Sequence, residues 1–176
     1  KLAYRTFDTY KTPPDSNDIV KEALPEPYNE NRSLIPDETF VLVGYCKSED
    51  HLNWINNKLL YNFRMNNNRG ALKFTQETLN VRYLLIHMNG DKSSSRLFKI
   101  QTPEYRVTNK KTLERLNYPD PRQESYLVVN LEQCSAKEFE NLSWSFKELN
   151  NYKSGRASAI PFTASLPELM KVKLNT

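Results

Sequence analysis

The sequence predicts an α+β domain built on a small, strongly bent β-barrel, with one helix packed early in the chain and another near the C-terminus. Phe40–Cys46 is a nearly continuous apolar run, which is typical of a strand buried on both faces. A second apolar strand, Val81–Met88, ends at Asn89-Gly90, a dipeptide that signals a hairpin turn. A closing strand is predicted at Ser125–Leu131. This order of strands, with a helix after the first, is typical of a small bent barrel.

The first helix is predicted from Ser48 to about Lys58. Ser48 is a good N-cap, and the two acidic residues after it lie where the helix dipole favours negative charge. Apolar residues spaced by three and four give this helix one buried stripe, formed by Leu52, Ile55 and Leu59. Trp54 lies off the stripe, and His51, in the first turn, is expected to be exposed.

Alternation of residue types predicts a short aromatic strand at Tyr61–Arg64. Tyr61 and Phe63 share one face of that strand, and Asn62 and Arg64 share the other face. The strand therefore carries aromatic rings on one side and polar or basic groups on the other.

The remaining elements are shorter. A polar turn is predicted at Met65–Gly70, one helical turn at Thr75–Asn80, a hairpin partner strand at Ser95–Gln101 and a capped helix at Asn109–Leu116. A capping box at Ser135–Glu138 then begins a predicted C-terminal helix. Its apolar stripe, expected to pack on the outside of the barrel, consists of Phe139, Leu142, Phe146 and Leu149.

The chain divides into an extended, proline-rich arm at residues 1–38, a barrel domain at 39–152 and a tail or linker at 153–176. No apolar run approaches the length of a membrane span. The two cysteines form neither a disulfide framework nor a zinc quartet, so we expect free thiols and a cytoplasmic location. Because the chain begins at Lys1 without a methionine, we expect it to be part of a larger multidomain protein.

Catalytic and cofactor motifs are absent from the sequence. The two histidines, His51 and His87, are paired with no nucleophile motif, and no glycine-rich phosphate-binding motif occurs. The spacing of His and Cys does not fit a metal site. We therefore expect a binding protein without enzyme activity, metal or cofactor.

Positive charge is concentrated in the middle of the chain. Residues 58–122 hold 13 Lys and Arg against 5 Asp and Glu, whereas residues 1–57 hold 6 against 10 and residues 123–176 hold 6 against 6. Aromatic residues alternate with these basic residues, as expected of a surface that holds nucleic acid. Local charge of this sign concentrates a polyanion. The alternative is a solvated basic face without a partner.

Two sets of candidate site residues follow from this pattern. Contacts to the nucleic-acid backbone are expected from Arg64, Arg69, Lys73, Arg82, Lys92, Ser94, Arg96 and Lys99. A base pocket is expected from the aromatic residues Tyr45, Trp54, Tyr61 and Phe63, which can stack on a base, together with Asn62, which can hydrogen-bond to a base edge.

The element order rests on six segments, namely Phe40–Cys46, the helix after it, Tyr61–Arg64, Tyr83–His87, Arg96–Ile100 and Tyr126–Val129. This order, which covers about half of the chain, resembles the PUA-like superfamily, which includes the EVE, YTH and ASCH domains. The resemblance implies a pseudobarrel that binds RNA or modified DNA, often by flipping a base into an aromatic pocket between the first helix and the barrel. Trp54, Tyr61 and Tyr45 would line that pocket. A second resemblance, to B3-like DNA-binding domains, implies recognition of intact base pairs in the major groove.

These observations predict a DNA-binding specificity module of a prokaryotic restriction or defence protein, with a methylated base as a candidate target. An RNA-binding PUA-like domain is one alternative. Another is a protein-interaction scaffold whose contact surface would consist of Trp54, Trp144 and the tail from Lys153. No membrane partner is expected.

Overall fold

Within residues 39–65, 71–101 and 105–175, which this computed structural model describes, seven strands form one β-sheet that curls into a half-barrel. The strands of the chain are β1 (Phe40–Cys46), β2 (Leu60–Arg64), β3 (Val81–Met88), β4 (Leu97–Ile100), β5 (Arg106–Asn109), β6 (Ser125–Gln133), β7 (Leu142–Trp144), β8 (Phe162–Ser165) and β9 (Lys173–Asn175). The helices are α1 (Glu49–Lys58), α2 (Gln76–Leu79), α3 (Lys110–Arg115) and α4 (Leu166–Lys171). The predicted α+β class is therefore confirmed. The predicted arm at 1–38 lies outside the described residues.

The topology of the sheet brings the carboxyl ends of β1 and β3 together. Its strands lie in the order β2-β6-β4-β3-β1-β8, with β5 also paired to β6, while β7 and β9 form a separate pair. β1 and β3 are parallel, so that Tyr45 lies opposite His87 near the end of both strands. Ser48, the N-cap of α1, comes two residues after the end of β1. The first turn of α1 therefore lies at this same end of the sheet.

The first helix forms where it is predicted. The Ser48 hydroxyl caps α1 by accepting the backbone N–H of His51 at 3.3 Å. Leu52 and Ile55 are buried in the first core, which lies between α1, β2, β6 and one face of β1 and β3. Among the described helices, none combines the length and the apolar character that crossing a membrane requires.

A second core covers the other face of β1 and β3, so β1 is buried on both faces as predicted. The predicted stripe of Phe139, Leu142, Phe146 and Leu149 does pack in this core, but the predicted C-terminal helix is wrong. The segment instead consists of two short 3-10 turns that flank β7. The reason is Trp144, which lies off the stripe and is nevertheless 1% exposed, because β7 turns its ring into the core. A helix would have pointed this ring away from the sheet.

The prediction that residues 153–176 form a tail or linker is also wrong, because this segment completes the sheet. β8 pairs antiparallel with the free edge of β1, and Leu166 and Leu169 of α4 are buried in the second core. A capping box at the start of α4 fixes this arrangement, with the Ser165 hydroxyl accepting the Glu168 N–H and the Glu168 carboxylate accepting the Ser165 N–H. A strand of four residues gives too short an alternation to be distinguished from a polar linker.

Candidate functional site

A cleft of about 540 Å³ opens at the end of the sheet where β1 ends and α1 begins, beside β2. This volume lies within the range of small-ligand sites. Five aromatic residues are among those that line the cleft, namely Tyr45, Tyr61, Phe63, Tyr118 and Tyr126. The cleft therefore includes four of the five residues predicted for a base pocket, Tyr45, Tyr61, Asn62 and Phe63.

Tyr61 forms part of the cleft wall because Gly44 leaves room for its ring. The Tyr61 hydroxyl donates to the carbonyl oxygen of Tyr45 at 2.8 Å. A Cβ atom at Gly44 would lie 2.6 Å from the Tyr61 hydroxyl oxygen and 2.9 Å from Cζ, closer than such atoms approach. Burial raises the pKa of Tyr61 far above its ordinary value, so the hydroxyl stays protonated.

A buried polar pair, His51 and Asn62, lines the cleft among the aromatic rings. His51 Nε2 lies 3.0 Å from Asn62 Oδ1, and the two residues are 7% and 8% exposed. Burial lowers the pKa of His51 to about 4, so the ring is neutral at physiological pH. Because an amide oxygen only accepts, Nε2 carries the ring proton and donates it to Asn62. The expectation of an exposed His51 is therefore wrong, since the helix turns this ring towards β2.

Tyr118, in the loop after α3, also lines the cleft. Its ring lies edge-on to His51, with ring centroids 5.2 Å apart. Trp54 supports the ring from behind, at 4.9 Å, and its Nε1–H donates to the carbonyl oxygen of Leu116 at 2.9 Å. Burial raises the pKa of Tyr118, while the Asn62 amide and the Arg64 charge act in the opposite direction. Trp54, predicted to stack on a base, does not line this cleft, because it is buried behind Tyr118.

The rim of the cleft carries more cations than anions. Four basic side chains, Lys47, Arg64, Arg122 and Arg156, face two carboxylates, Asp50 and Asp120. Asp120 is engaged by Lys47 at 3.2 Å and by Arg122 at 2.6 Å, and these cations hold its pKa below the ordinary value. In the part of the chain that the structure describes, no carboxylate lies within 4.0 Å of the cationic groups of Arg64 or Arg156.

Comparisons with protein-family models, with curated proteins and with solved structures found no match. The cleft is therefore interpreted from its own residues. It can pack a planar group against a tyrosine ring, contact that group with a buried polar pair and neutralise negative charge at its mouth.

Among the described residues that were predicted to contact a nucleic-acid backbone, only Arg64 lines the cleft. Lys92 and Arg96 lie in the β3–β4 connection, at the same end of the sheet, but Arg96 forms an ion pair with Asp91 at 2.6 Å. Ser94 is buried, and its hydroxyl donates to the Ile86 carbonyl oxygen. Ser94 therefore stabilises this connection and is not available to a ligand, contrary to the prediction.

The other predicted backbone contacts lie away from the cleft or outside the described residues. Arg82 follows the start of β3, five residues before His87 and so roughly 16 Å along the strand from the cleft end. Lys99 forms an ion pair with Glu132 at 3.7 Å. Lys73 is exposed in the segment before α2 and does not line the cleft. Arg69 lies outside the described residues.

Several cleft residues were not predicted as site residues from the sequence, among them His51, Lys47, Tyr118, Arg122 and Arg156. Tyr118 and Arg122 lie in irregular segments with no periodicity to place a side chain, Arg156 lies in a short 3-10 helix, and Lys47 lies between β1 and α1. The one available signal was the sequence Asn117-Tyr-Pro-Asp-Pro121, whose prolines indicate a rigid turn. Among the described residues, no group of three or more His, Cys, Asp or Glu is placed to hold a metal ion.

Proposed function

We propose that this chain is a DNA-binding specificity module of the PUA-like kind, part of a prokaryotic restriction or defence protein, whose cleft receives one base turned out of the duplex. The observation that carries the proposal is the buried His51–Asn62 pair inside an aromatic cleft with a cationic mouth. A curled half-barrel sheet with a helix packed early supports the PUA-like relationship.

The energetics of the cleft fit an extruded base. Unpairing and unstacking a base costs a few kcal/mol. Stacking on an accessible aromatic ring contributes about 1–3 kcal/mol per base, and the half-buried rings of Tyr45 and Tyr118 line the cleft. Hydrogen bonds from a buried, pre-positioned amide add to this and discriminate between bases.

The mouth of the cleft fits the backbone that carries such a base. Arg64 and Arg156 have no carboxylate partner in the described part of the chain, so both guanidinium groups are available to phosphates. Lys47 and Arg122 lie on the same rim, held by Asp120. Each phosphate contact releases counterions, so the affinity should fall as the salt concentration rises.

The protein-interaction alternative has less support. Both tryptophans of the contact surface expected for it are buried, with Trp54 5% exposed and Trp144 1% exposed. The segment after Lys153, also expected in that surface, supplies β8 and α4 to the second core.

The proposal is tested by measuring binding to one labelled duplex with and without adenine or cytosine methylation, and to matched single-stranded DNA and RNA, at two salt concentrations. Arg64→Ala should weaken binding and lower the slope of log affinity against log salt by about 0.7–0.9. Asn62→Ala should weaken binding to the preferred form about tenfold while leaving that slope unchanged.

Arg82→Ala is the matched control, because it removes one exposed arginine at the opposite end of β3. It should bind like the parent chain, and the melting temperature of each variant shows that it is folded. Equal losses for Arg64→Ala and Arg82→Ala would exclude the cleft as the binding site. Preference for RNA over every DNA form would move the proposal to an RNA-binding PUA-like domain.

A further inference from the structure

We infer that the cleft selects bases whose deep edge carries a carbonyl oxygen, such as thymine and uracil, over bases that carry an amino group there, such as cytosine and 5-methylcytosine. This inference rests on the proposed base-binding function and names the chemistry of the bound base. It follows from the polarity of the His51–Asn62 hydrogen bond and from the direction in which a base must enter.

The polarity of the pair is fixed from the His51 side. His51 is neutral and its Nε2–H donates to Asn62 Oδ1 at 3.0 Å, so the acceptor end of the Asn62 amide is occupied. The amide plane is rigid, and its NH₂ group therefore points away from His51. Asn62 lines the cleft beside the Tyr118 hydroxyl. Its amide acts to lower the pKa of Tyr118, as expected of a group that donates a hydrogen bond to the hydroxyl oxygen.

The direction of entry follows from the position of the cations. Arg64 and Arg156 lie with the rim residues, so the phosphates and the sugar stay at the mouth of the cleft. The glycosidic bond then points outwards, and the edge opposite the sugar enters first. In a pyrimidine that edge carries the substituent at position 4, which is a carbonyl oxygen in thymine and uracil and an amino group in cytosine.

A donor that meets this edge discriminates between the two groups. The Asn62 NH₂ group forms a hydrogen bond with a carbonyl oxygen, whereas it faces the amino group of cytosine donor to donor. The second arrangement brings two donors together and leaves the amino group of the base without an acceptor inside the cleft, which is the more costly outcome. We therefore expect thymine to bind about tenfold more tightly than cytosine in the same sequence. His51 is thus a positioning residue, since it acts on the ligand through the orientation of Asn62.

The test uses short fluorescein-labelled duplexes that place thymine, uracil, cytosine or 5-methylcytosine opposite an abasic site, so that the cost of unpairing is removed for all four bases. The parent chain should bind the thymine and uracil duplexes more tightly than the other two. Asn62→Asp keeps an acceptor for His51 but presents a carboxylate oxygen to the cleft, so the order of affinities should invert in favour of cytosine. The added negative charge should also lower the affinity for every duplex. A merely structural role for Asn62 would lower all four affinities by the same factor.

A second measurement tests the inference on the parent chain, in case Asn62→Asp does not fold. Long-range ¹H–¹⁵N spectra of the parent chain should show His51 protonated at Nε2 alone. Equal affinity for thymine and cytosine, tighter binding of cytosine by the parent, or a proton on Nδ1 would overturn the inference. Failure to bind any of the four duplexes would overturn the proposed function too, whereas Asn62-dependent binding without the carbonyl preference would overturn only this inference.

Discussion

Gly44 is the residue on which the shape of the cleft depends most directly. It lies in β1 with its missing side chain facing Tyr61, and the position of a Cβ atom there is 2.6 Å from the Tyr61 hydroxyl oxygen. Tyr61 in turn packs edge-on against Phe63, at 4.8 Å between ring centroids, and lies nearly parallel to the His51 ring. A methyl group at one backbone position would thus displace one wall of the site.

We expect Gly44→Ala to lower the free energy of unfolding by about 1–3 kcal/mol and to weaken nucleic-acid binding, because the ring of Tyr61 must move out of a packed core. Urea denaturation and fluorescence anisotropy measure the two effects. Tyr61→Phe removes the nearest atom of the clash, so part of the loss should disappear in the double variant. Strictly additive losses in this double-mutant cycle would contradict the clash with Tyr61.

At the scale of elements, α1 and the loop after α3 act together on the cleft. Trp54 on α1 donates a hydrogen bond to the Leu116 carbonyl oxygen, and its ring supports Tyr118. The sequence predicted α1, its N-cap and its buried stripe, because helical periodicity and caps are local signals. It did not predict that the ring of Trp54 stands behind Tyr118, since the two residues are 64 positions apart and only the fold brings them together.

We expect Trp54→Phe to cost about 1 kcal/mol of stability and to weaken nucleic-acid binding severalfold, because the loop that carries Tyr118 loses an anchoring hydrogen bond while the aromatic packing is retained. Thermal unfolding and binding to the preferred duplex measure these effects. Trp144→Phe is the control, since the buried Nε1 of Trp144 has no hydrogen-bond partner in the described part of the chain. The prediction fails if both variants change binding equally.

At the scale of the whole molecule, two cores on opposite faces of one sheet hold a neutral histidine each. His51 lies with the aromatic residues of the first core, and His87 stacks on Phe146 of the second core, at 4.5 Å between ring centroids. Burial lowers the pKa of both rings, that of His51 to about 4. His87 Nε2 has no hydrogen-bond partner among the described residues, and burial outweighs the opposing effects of Asp91 and of the Met88 and Ser158 backbone, which act to raise the pKa of this ring.

The stability of the chain should therefore fall as the pH is lowered from about 6.5 towards 4. Above this window the histidines are neutral in the folded and unfolded states alike, whereas within it the unfolded chain binds protons that the folded chain excludes. His51 alone should lower the free energy of unfolding by about 3 kcal/mol, and His87 should act in the same direction. Urea denaturation across this pH range measures the effect.

His51→Gln offers the control for this pH dependence, because glutamine can still donate to Asn62 but does not titrate. Its stability should vary less with pH between 6.5 and 4 than that of the parent chain. A parent chain whose free energy of unfolding is constant over the window would contradict a buried neutral His51.

The sequence predicted the main strands of the sheet better than the C-terminal segment that completes the fold. The two apolar strands and the closing strand form where they are predicted. Each is long enough, or close enough to a turn signal, to be recognised from local sequence. The C-terminal segment was predicted wrongly because the spacing of Phe139, Leu142, Phe146 and Leu149 imitates a helix. In the cleft, the aromatic strand β2 could be predicted, whereas His51, Tyr118 and Arg156 meet only through contacts between distant segments.

The pairing of β8 with β1 has a consequence for how the chain is made. β1 is the first described strand of the sheet, but its edge partner, β8, begins at Phe162. During synthesis on the ribosome, Val41 and Val43 emerge well before Ala164 and Leu169, which help to bury them. The nascent chain thus carries part of an apolar face uncovered while the intervening residues are made, and the domain completes its folding only after Leu169 has left the exit tunnel.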